Sequence, residues 1–590
     1  MRILGISLGH DSNFALIENG QIKAVMEAER YFRQKRYKLS AQTLEDRKLL
    51  STYQYTDIKD LRLFLNLIIK EWGNQFDAIA VQNQGRTKEY QNLIKFLKEN
   101  GFAFKNAHHI NHHLSHASLS YFTSPFNEAL ILSYDGIGND GKTVFFKGSG
   151  NKIEYLSNVP IAFGQSYNNL GYICGIKPEI EGTTSGKLMG LAAYGQVKES
   201  WIPYARKYVR RYKKLPVSKL DGPDTYGAGH NMNSVYLQDI PELKKYLVKR
   251  ERPLQIKSFT DKIKLFFCIV SQSELKLPGP DNKDAQDLAA TVQHVWTQEV
   301  MQLIKKNKKN FKNICVVGGC ALNGITNYVI EKSKEFEKVH LIPNPSDCGL
   351  AAGAALYVYY STLKNDFNGL SSYYSPYLGS LPYDRDDLNK LKEIYPNKEV
   401  GWSSLPKILA QLVNKNLIIG LIQGRYEVGP RALGNRSILC NPLNKDMREI
   451  LNDKVKHREW YRPFAPIVTE KDSQKYFTNT DPIPYMSVIC YTRDEYRDRL
   501  PSITHVDGSA RIQTINKEQN PLLYESLKEF EKISGFPIYL NTSFNPAGEP
   551  ILNYYSVGLE MLKNTDLDLV IINNIIFCKP GRERKLLENI

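Results

Sequence analysis

The chain has 590 residues, 42% hydrophobic and 24% charged, a composition that excludes a disordered or fibrous protein and gives room for roughly two to four domains. No uncharged apolar run approaches the ~18 residues needed to span a bilayer. Lysine plus arginine number 78 against 62 acidic residues, and the resulting +16 suits nucleic acid, anionic membranes or phosphorylated small molecules, or is simply the basic surface of a large protein.

The chain opens Met1-Arg2-Ile3-Leu4-Gly5-Ile6, directly into a strand pattern, without the long apolar stretch and small-residue cleavage site of a signal peptide. The eight cysteines (174, 268, 315, 320, 348, 440, 490 and 578) form no C-x-x-C pair, which argues against a zinc ribbon and a disulfide framework alike. Both features predict a cytoplasmic protein.

Ile3–Leu8 reads as a buried strand, followed by the polar turn Gly9-His10-Asp11-Ser12-Asn13. Strands at Phe14–Ile17 and Gln21–Val25 complete a meander. The pattern returns about 125 residues later: a strand at Ala129–Tyr134, a polar turn starting at Asp135, then strands at Thr143–Phe146 and Lys152–Tyr155. A repeat this long predicts two similar lobes facing one cleft rather than a solenoid. Further on, the strand Asn313–Val317 runs into Gly318-Gly319-Cys320-Ala321-Leu322-Asn323 and then a helix. Glycines at such a turn let backbone approach a ligand, and the helix N-terminus favours a phosphate or a polar nucleotide edge. Two meanders and then strand–Gly-Gly–helix is the layout of the actin/sugar-kinase superfold.

Residues 360–385, rich in Tyr, Ser and Pro around Ser371-Ser372-Tyr373-Tyr374-Ser375-Pro376, predict a linker. Beyond it, a helical period over Leu405–Val413 and a strand over Leu417–Gln423 open a second α/β domain. The basic clusters from Arg206-Lys207 to Lys214 and at Lys305-Lys306-Asn307-Lys308-Lys309 read as solvated helix ends.

Histidines crowd one short stretch: His108, His109, His112, His113 and His116. On a helix His112 and His116 share one face, a spacing that lets two imidazoles chelate one metal ion. His113 would point elsewhere, as a packing residue or as a support for the metal ligands. No glutamate occupies the zinc-protease position between the pair, so that reading fails. Asp135, at the tip of the repeated strand, and Asp347, in Pro343-Asn344-Pro345-Ser346-Asp347, are the nearest candidates to complete the set. Two histidines and two aspartates without a thiolate suit iron(II), manganese or zinc.

The C-terminal half carries arginines on turns stiffened by Gly and Pro: Gly429-Pro430-Arg431-Ala432-Leu433-Gly434-Asn435-Arg436 and Tyr461-Arg462-Pro463-Phe464-Ala465-Pro466, with Lys456 and Arg458 between them. Arg511 and the segment Asn541-Thr542-Ser543-Phe544-Asn545 follow. Guanidinium forks held this way can grip phosphate bidentately, so this half predicts a polyanion site.

Gly9-His10-Asp11-Ser12, the His112–His116 helix, Gly318-Gly319 with Asn323, the Gly429–Arg436 and Arg462–Pro466 turns and Asn541–Asn545 together resemble the O-carbamoyltransferases of antibiotic, toxin and nodulation-factor biosynthesis, in order and over nearly the whole chain. The resemblance implies an actin-like, two-lobed (RNase H-like) domain over residues 1–362, a linker over 363–385 and a YrdC-like α/β domain over 386–590. The C-terminal domain would make carbamoyl adenylate from carbamoyl phosphate and ATP with Mg(II). The N-terminal domain would pass the carbamoyl group to the hydroxyl of a small-molecule natural product.

Carried over by position, His112, His116, Asp135 and Asp347 would bind the metal, with iron(II) expected first. His10 would be the general base, and Gly318, Gly319 and Asn323 would hold the adenylate. Arg431, Lys456, Arg462, Arg511, Asn541 and Ser543 would hold carbamoyl phosphate and ATP. The family's frequent Lys-His pair is replaced here by Gln34-Lys35-Arg36-Tyr37, which bears on the acceptor. No membrane or nucleic-acid partner is expected, and a homodimer is the default from the commonness of twofold symmetry. A sugar or acetate kinase of the same superfold, and a tRNA threonylcarbamoyl transferase with a fused activating domain, are the alternative readings.

Overall fold

The computed structural model describes residues 1–41, 58–82, 87–178, 183–211, 236–249, 273–370 and 373–583. Cys268, Ser371, Ser372, and Lys213 and Lys214 of the first basic cluster lie outside the described residues.

Ile3 and Leu4, adjacent and so on opposite faces, are fully buried, as is Ile6, which is what a strand covered on both faces requires. They form β1 (Arg2–Ser7), which meanders into β2 (Asn13–Glu18) and β3 (Gln21–Glu27). On its other side lie the parallel strands β4 (Ala78–Gln82) and β5 (Asn106–Ile110), giving the order β3-β2-β1-β4-β5.

The second lobe repeats the plan. A meander of β6 (Glu128–Gly138), β7 (Gly141–Ser149) and β8 (Lys152–Val159) is followed by the small ribbon of β9 (Leu247–Lys249) and β10 (Ser273–Leu275). Parallel strands β11 (Asn313–Val317) and β12 (Lys338–His340) then complete the order β12-β11-β6-β7-β8. The predicted repeat is thus two copies of one sheet topology, that of the actin/sugar-kinase superfold. β6 runs beyond the predicted Tyr134 because its pairing with β7 shifts register between Tyr134 and Gly138, and Asp135 sits on this irregular stretch.

Two helices, His112–Phe122 and Leu350–Tyr357, pack on each other and on β1 and β6. The second is Leu-Ala-Ala-Gly-Ala-Ala-Leu-Tyr, buried from Leu350 to Leu356. A Cβ at Gly353 would lie 1.9 Å from the Ser115 carbonyl oxygen, so only glycine allows this approach. The short side chains therefore bring the histidine helix and the segment ending at Asp347 together.

The C-terminal region builds an eight-stranded mixed sheet. Its strands are β13 (Asn397–Glu399), β14 (Ile419–Ile422), β15 (Arg436–Cys440), β16 (Ala465–Thr469), β19 (Gln513–Ile515), β20 (Ile538–Ser543), β21 (Leu569–Ile572) and β22 (Ile575–Cys578), beside the separate pair β17 (Cys490–Tyr491) and β18 (Ser509–Ala510). The order is β13-β22-β21-β14-β15-β20-β16-β19, and the helices Leu405–Asn414 and Pro521–Ser534 pack together beside it. The described residues are α/β in both halves of the chain.

The described part of 363–385 is packed against both sides. The Leu378 carbonyl accepts from Val25 N–H at 2.8 Å, Gly379 N–H donates to the Tyr426 carbonyl at 2.9 Å, and the buried Tyr374 hydroxyl donates to Asn344 Oδ1 at 3.1 Å. In the basic clusters, Arg206 and Arg210 pair with Glu299, and Lys305 and Lys308 with Glu335. Among the described residues no helix is long and apolar enough to cross a membrane.

Candidate active site

The helix His112–Phe122 starts against the turn between β6 and β7. Asn139 Oδ1 accepts from His112 N–H, and the Asp140 carboxylate accepts from the N–H groups of His113 and Leu114 at 2.8 and 3.1 Å. This cap comes from the partner sheet rather than from Asn111, so the helix start is registered on β6, where Asp135 lies. His112 Nε2 and His116 Nε2 stand 3.3 and 3.2 Å from Asp135 Oδ2, and 3.8 and 3.4 Å from Asp347 Oδ1. All four donors lie within 4.8 Å of one another, and both imidazoles are buried.

Such separations are those of two nitrogens and two oxygens at about 2.0–2.2 Å around one ion, so the set fits a borderline divalent cation. Gln82 lies 3.5 Å from His112 Nδ1 and is itself held by Ser7, an arrangement that orients the ring. Against burial, its hydrogen bonds to Asp135 and Asp347 push His116 up to about 9. Also against burial, the two imidazoles hold Asp135 well below the usual carboxylate range. His113 is pushed down to about 4 by burial and by His112; its Nδ1 meets Ser133 Oγ at 2.8 Å, a packing role as expected.

His10 reaches the same cluster from the other lobe. Its Nδ1 is 2.9 Å from Asp11 Oδ2 and its Nε2 is 3.5 Å from Asp347 Oδ2. Desolvation opposes its charge, yet Asp347 and the hydrogen-bonded Asp11 raise it to about 9. Glu29 is pushed up to about 7 by burial, then by Asp11 and Glu27. The cleft floor is therefore crowded with carboxylates, an environment that favours a cation.

The Gly-Gly turn meets this floor directly. A Cβ on Gly319 would stand 2.8 Å from Asp135 Oδ1, and Gly318 takes φ +95° against the Tyr134 carbonyl. Asn323 starts the next helix. Its Oδ1 accepts from Thr326 N–H at 3.1 Å and its Nδ2 donates to Gln293 at 3.0 Å, so it caps the helix Gly324–Lys332. A cap needs the side chain turned back on its own backbone, which leaves Gly318 and Gly319 as the approachable part of the turn.

In the C-terminal domain Arg431, Arg458, Arg462 and Arg511 converge. Burial, then the other three guanidiniums, press Arg511 well below the ordinary arginine range; burial and Arg462 lower Arg431 to about 10. Arg511 Nε is buried without a hydrogen-bond partner. Clustered cations with an unused buried donor make a cage for a polyanion. Below it, Asn541 Nδ2 donates to the Ala432 carbonyl and to Gln513 Oε1, both at 3.1 Å, while its Oδ1 lacks a partner. The Lys456 ammonium donates to the carbonyls of Ser543 and Asn545 and to Asn545 Oδ1 at 2.8, 3.0 and 2.8 Å, which holds it at the Ser543–Asn545 turn. Ser543 is half-buried on the end of β20.

The two clusters share a wall. Gly429, two residues before Arg431, has φ +94° and packs so closely that a Cβ would lie 2.3 Å from the Pro343 carbonyl oxygen, on the segment ending at Asp347. Sequence reasoning left Gln82, Asp140 and Arg458 out of the candidate sites. Arg458 was marked by its place between Lys456 and Arg462, whereas no local signal marks Gln82 or Asp140, which act only through folding.

Family models described as carbamoyltransferase N-terminus and carbamoyltransferase C-terminus match residues 2–356 and 410–579. An uncharacterised protein of a Synechocystis species is 29% identical, over 99% of this chain and 97% of that one. Nodulation protein NolNO of Sinorhizobium fredii is 27% identical, over 97% of this chain and 79% of its own. Among solved structures, full-length HypF in its phosphate- and nucleotide-bound form aligns with 62% of this chain and 47% of that chain, at 14% identity and a TM-score of 0.30.

Proposed function

The chain belongs to the carbamoyltransferase family, and from that premise we propose that it is an ATP-dependent O-carbamoyltransferase acting on a hydroxyl of a small-molecule natural product. The observation that carries this reading is the pairing of a His/Asp cluster and Gly-Gly turn with a four-arginine cage across one wall, at Pro343 and Gly429.

Arg431, Arg458, Arg462 and Arg511 hold carbamoyl phosphate and the Mg(II)-bound triphosphate of ATP, and Asn541 supports the turn that carries Arg431. Carbamoyl phosphate, ATP and one water give carbamoyl adenylate, phosphate and pyrophosphate. The acceptor oxygen then bonds to the carbamoyl carbon, the bond to the adenylate oxygen breaks, and AMP leaves. Excluding bulk water protects an intermediate that would otherwise hydrolyse.

His112, His116, Asp135 and Asp347 would hold a divalent ion, iron(II) first and manganese or zinc as substitutes, which when bound stabilises negative charge on a carbonyl or phosphoryl oxygen. Asp11 at His10 Nδ1 orients the ring so that Nε2 can take the proton of the acceptor hydroxyl. Gly318 and Gly319 offer backbone to the adenylate. The seven described cysteines are all free thiols, which supports a reducing, cytoplasmic setting.

The test is incubation with carbamoyl phosphate and ATP. AMP and pyrophosphate are the expected products; ADP would mean a kinase, and absence of turnover would refute the reading.

A further inference from the structure

Arg30 belongs to the N-terminal lobe, on the short helix Ala28–Phe32 directly after β3, yet its side chain serves the C-terminal domain. It is 1% exposed. Nε donates to Glu27 Oε2 at 2.5 Å, while Nη2 donates to the carbonyls of Glu427 and Gly429 at 2.9 and 2.8 Å. Glu27 closes the ring, its Oε1 accepting from Gly429 N–H at 2.8 Å. The guanidinium also lies over the Tyr426 ring at 4.6 Å, and the Tyr426 hydroxyl accepts from Glu27 N–H at 2.9 Å.

A buried ion pair is weak as a source of stability, because desolvation cancels most of its attraction. What it supplies here is direction. Both partners address the turn Glu427–Gly429, which leads through Pro430 into Arg431. At its other end the strut is tied to the His/Asp cluster: Asn13 pairs with Glu27 across β2 and β3, and its Nδ2 donates to the Asp347 carbonyl at 2.8 Å.

We infer that Arg30, held by Glu27, is a positioning residue for the arginine cage, setting the Gly429–Arg431 turn from the lobe that carries the His/Asp cluster. The inference rests on reading that cage as the anion site. Lysine at position 30 keeps the charge but cannot fork to two carbonyls, and methionine removes the charge as well.

The experiment compares Arg30→Lys and Arg30→Met with the native full-length chain by calorimetric titration with inorganic pyrophosphate and by hydrogen exchange of peptides spanning 427–436 and 538–543. In folded Arg30→Lys, pyrophosphate binding should weaken roughly ten-fold, the loss of about one charge-assisted contact. Exchange should quicken in 427–436 but not in 538–543, zinc binding should persist, and Arg30→Met should be worse. Should Arg30→Met fail to fold, Arg30→Lys carries the comparison. Native pyrophosphate affinity in folded Arg30→Lys, or loosening shared equally by 538–543, would overturn the inference. A native chain that binds no pyrophosphate refutes the reading of the cage; unchanged exchange in 427–436 refutes the strut independently.

Discussion

His10 Nε2 lies 3.5 Å from Asp347 Oδ2, while the other oxygen of the same carboxylate faces His116 at 3.4 Å. One aspartate thus joins a turn of the first lobe to the histidine helix and the second lobe. The Asp347 charge acts on His10 together with the hydrogen-bonded Asp11, and the two raise it against desolvation.

Replacing His10 with asparagine should lower carbamoyl transfer by roughly 10²–10⁴-fold, the usual contribution of a general base. The loss should fall mainly on kcat, because the proton moves in the transition state. Pyrophosphate release and bound metal, measured on the same preparation, should persist. A variant that merely melts earlier, with transfer per folded molecule unchanged, would remove His10 as the base.

His116→Ala should lose bound metal and acyl transfer while still releasing pyrophosphate from carbamoyl phosphate and ATP. Elemental analysis reads the first and a coupled pyrophosphate assay the second. Full metal content in the variant would strike His116 from the ligand set.

The metal-free chain should release protons when it takes up zinc. Hydrogen bonds to Asp135 and Asp347 hold the His116 proton up to about 9, whereas a metal ligand must be neutral. Uptake at neutral pH therefore ejects that proton, and affinity should rise with pH until about 9 and then level. Without metal, the raised value stabilises the fold fully below the unfolded 6.5, and that contribution is lost as pH rises through about 9. Calorimetry in two buffers of different ionisation enthalpy, and melting curves across this window, check both. Zinc uptake without proton release would contradict the argument.

Gly319→Ala tests the contact between the Gly-Gly turn and the cluster. Its Cβ would arrive 2.8 Å from Asp135 Oδ1, so the carboxylate must move. Metal affinity should fall about 10–100-fold, as for other changes that misorient a ligand, and chelator competition measures it. Unaltered affinity would mean that the turn can yield without disturbing Asp135.

Arg431→Ala should cut carbamoyl adenylate formation roughly 10–150-fold, since one charge-assisted hydrogen bond in a dry anion site contributes roughly 1.5–3 kcal/mol. AMP production at the native rate would show that the cage is not where the phosphates sit.

Much of this protein follows from short-range pattern. Fully buried runs such as Ile3–Ile6 and Ile314–Val317 declare strands, the repeated meander declares two lobes, and the four-residue spacing of His112 and His116 puts both rings on one helix face. These features depend on backbone geometry that neighbouring residues already determine. The use of each polar side chain depends instead on what folding brings beside it. Asn323 also caps its own helix and Lys456 also bonds to Ser543 and Asn545, contacts that residue type alone does not announce. Conversely, Arg30 carried no signal, because its partners Glu427 and Gly429 reach it only when the two domains dock. Residue type and spacing determined which chemistry the chain could attempt; tertiary packing decided which atoms are left to perform it, since a buried donor must be satisfied by whatever lies nearest.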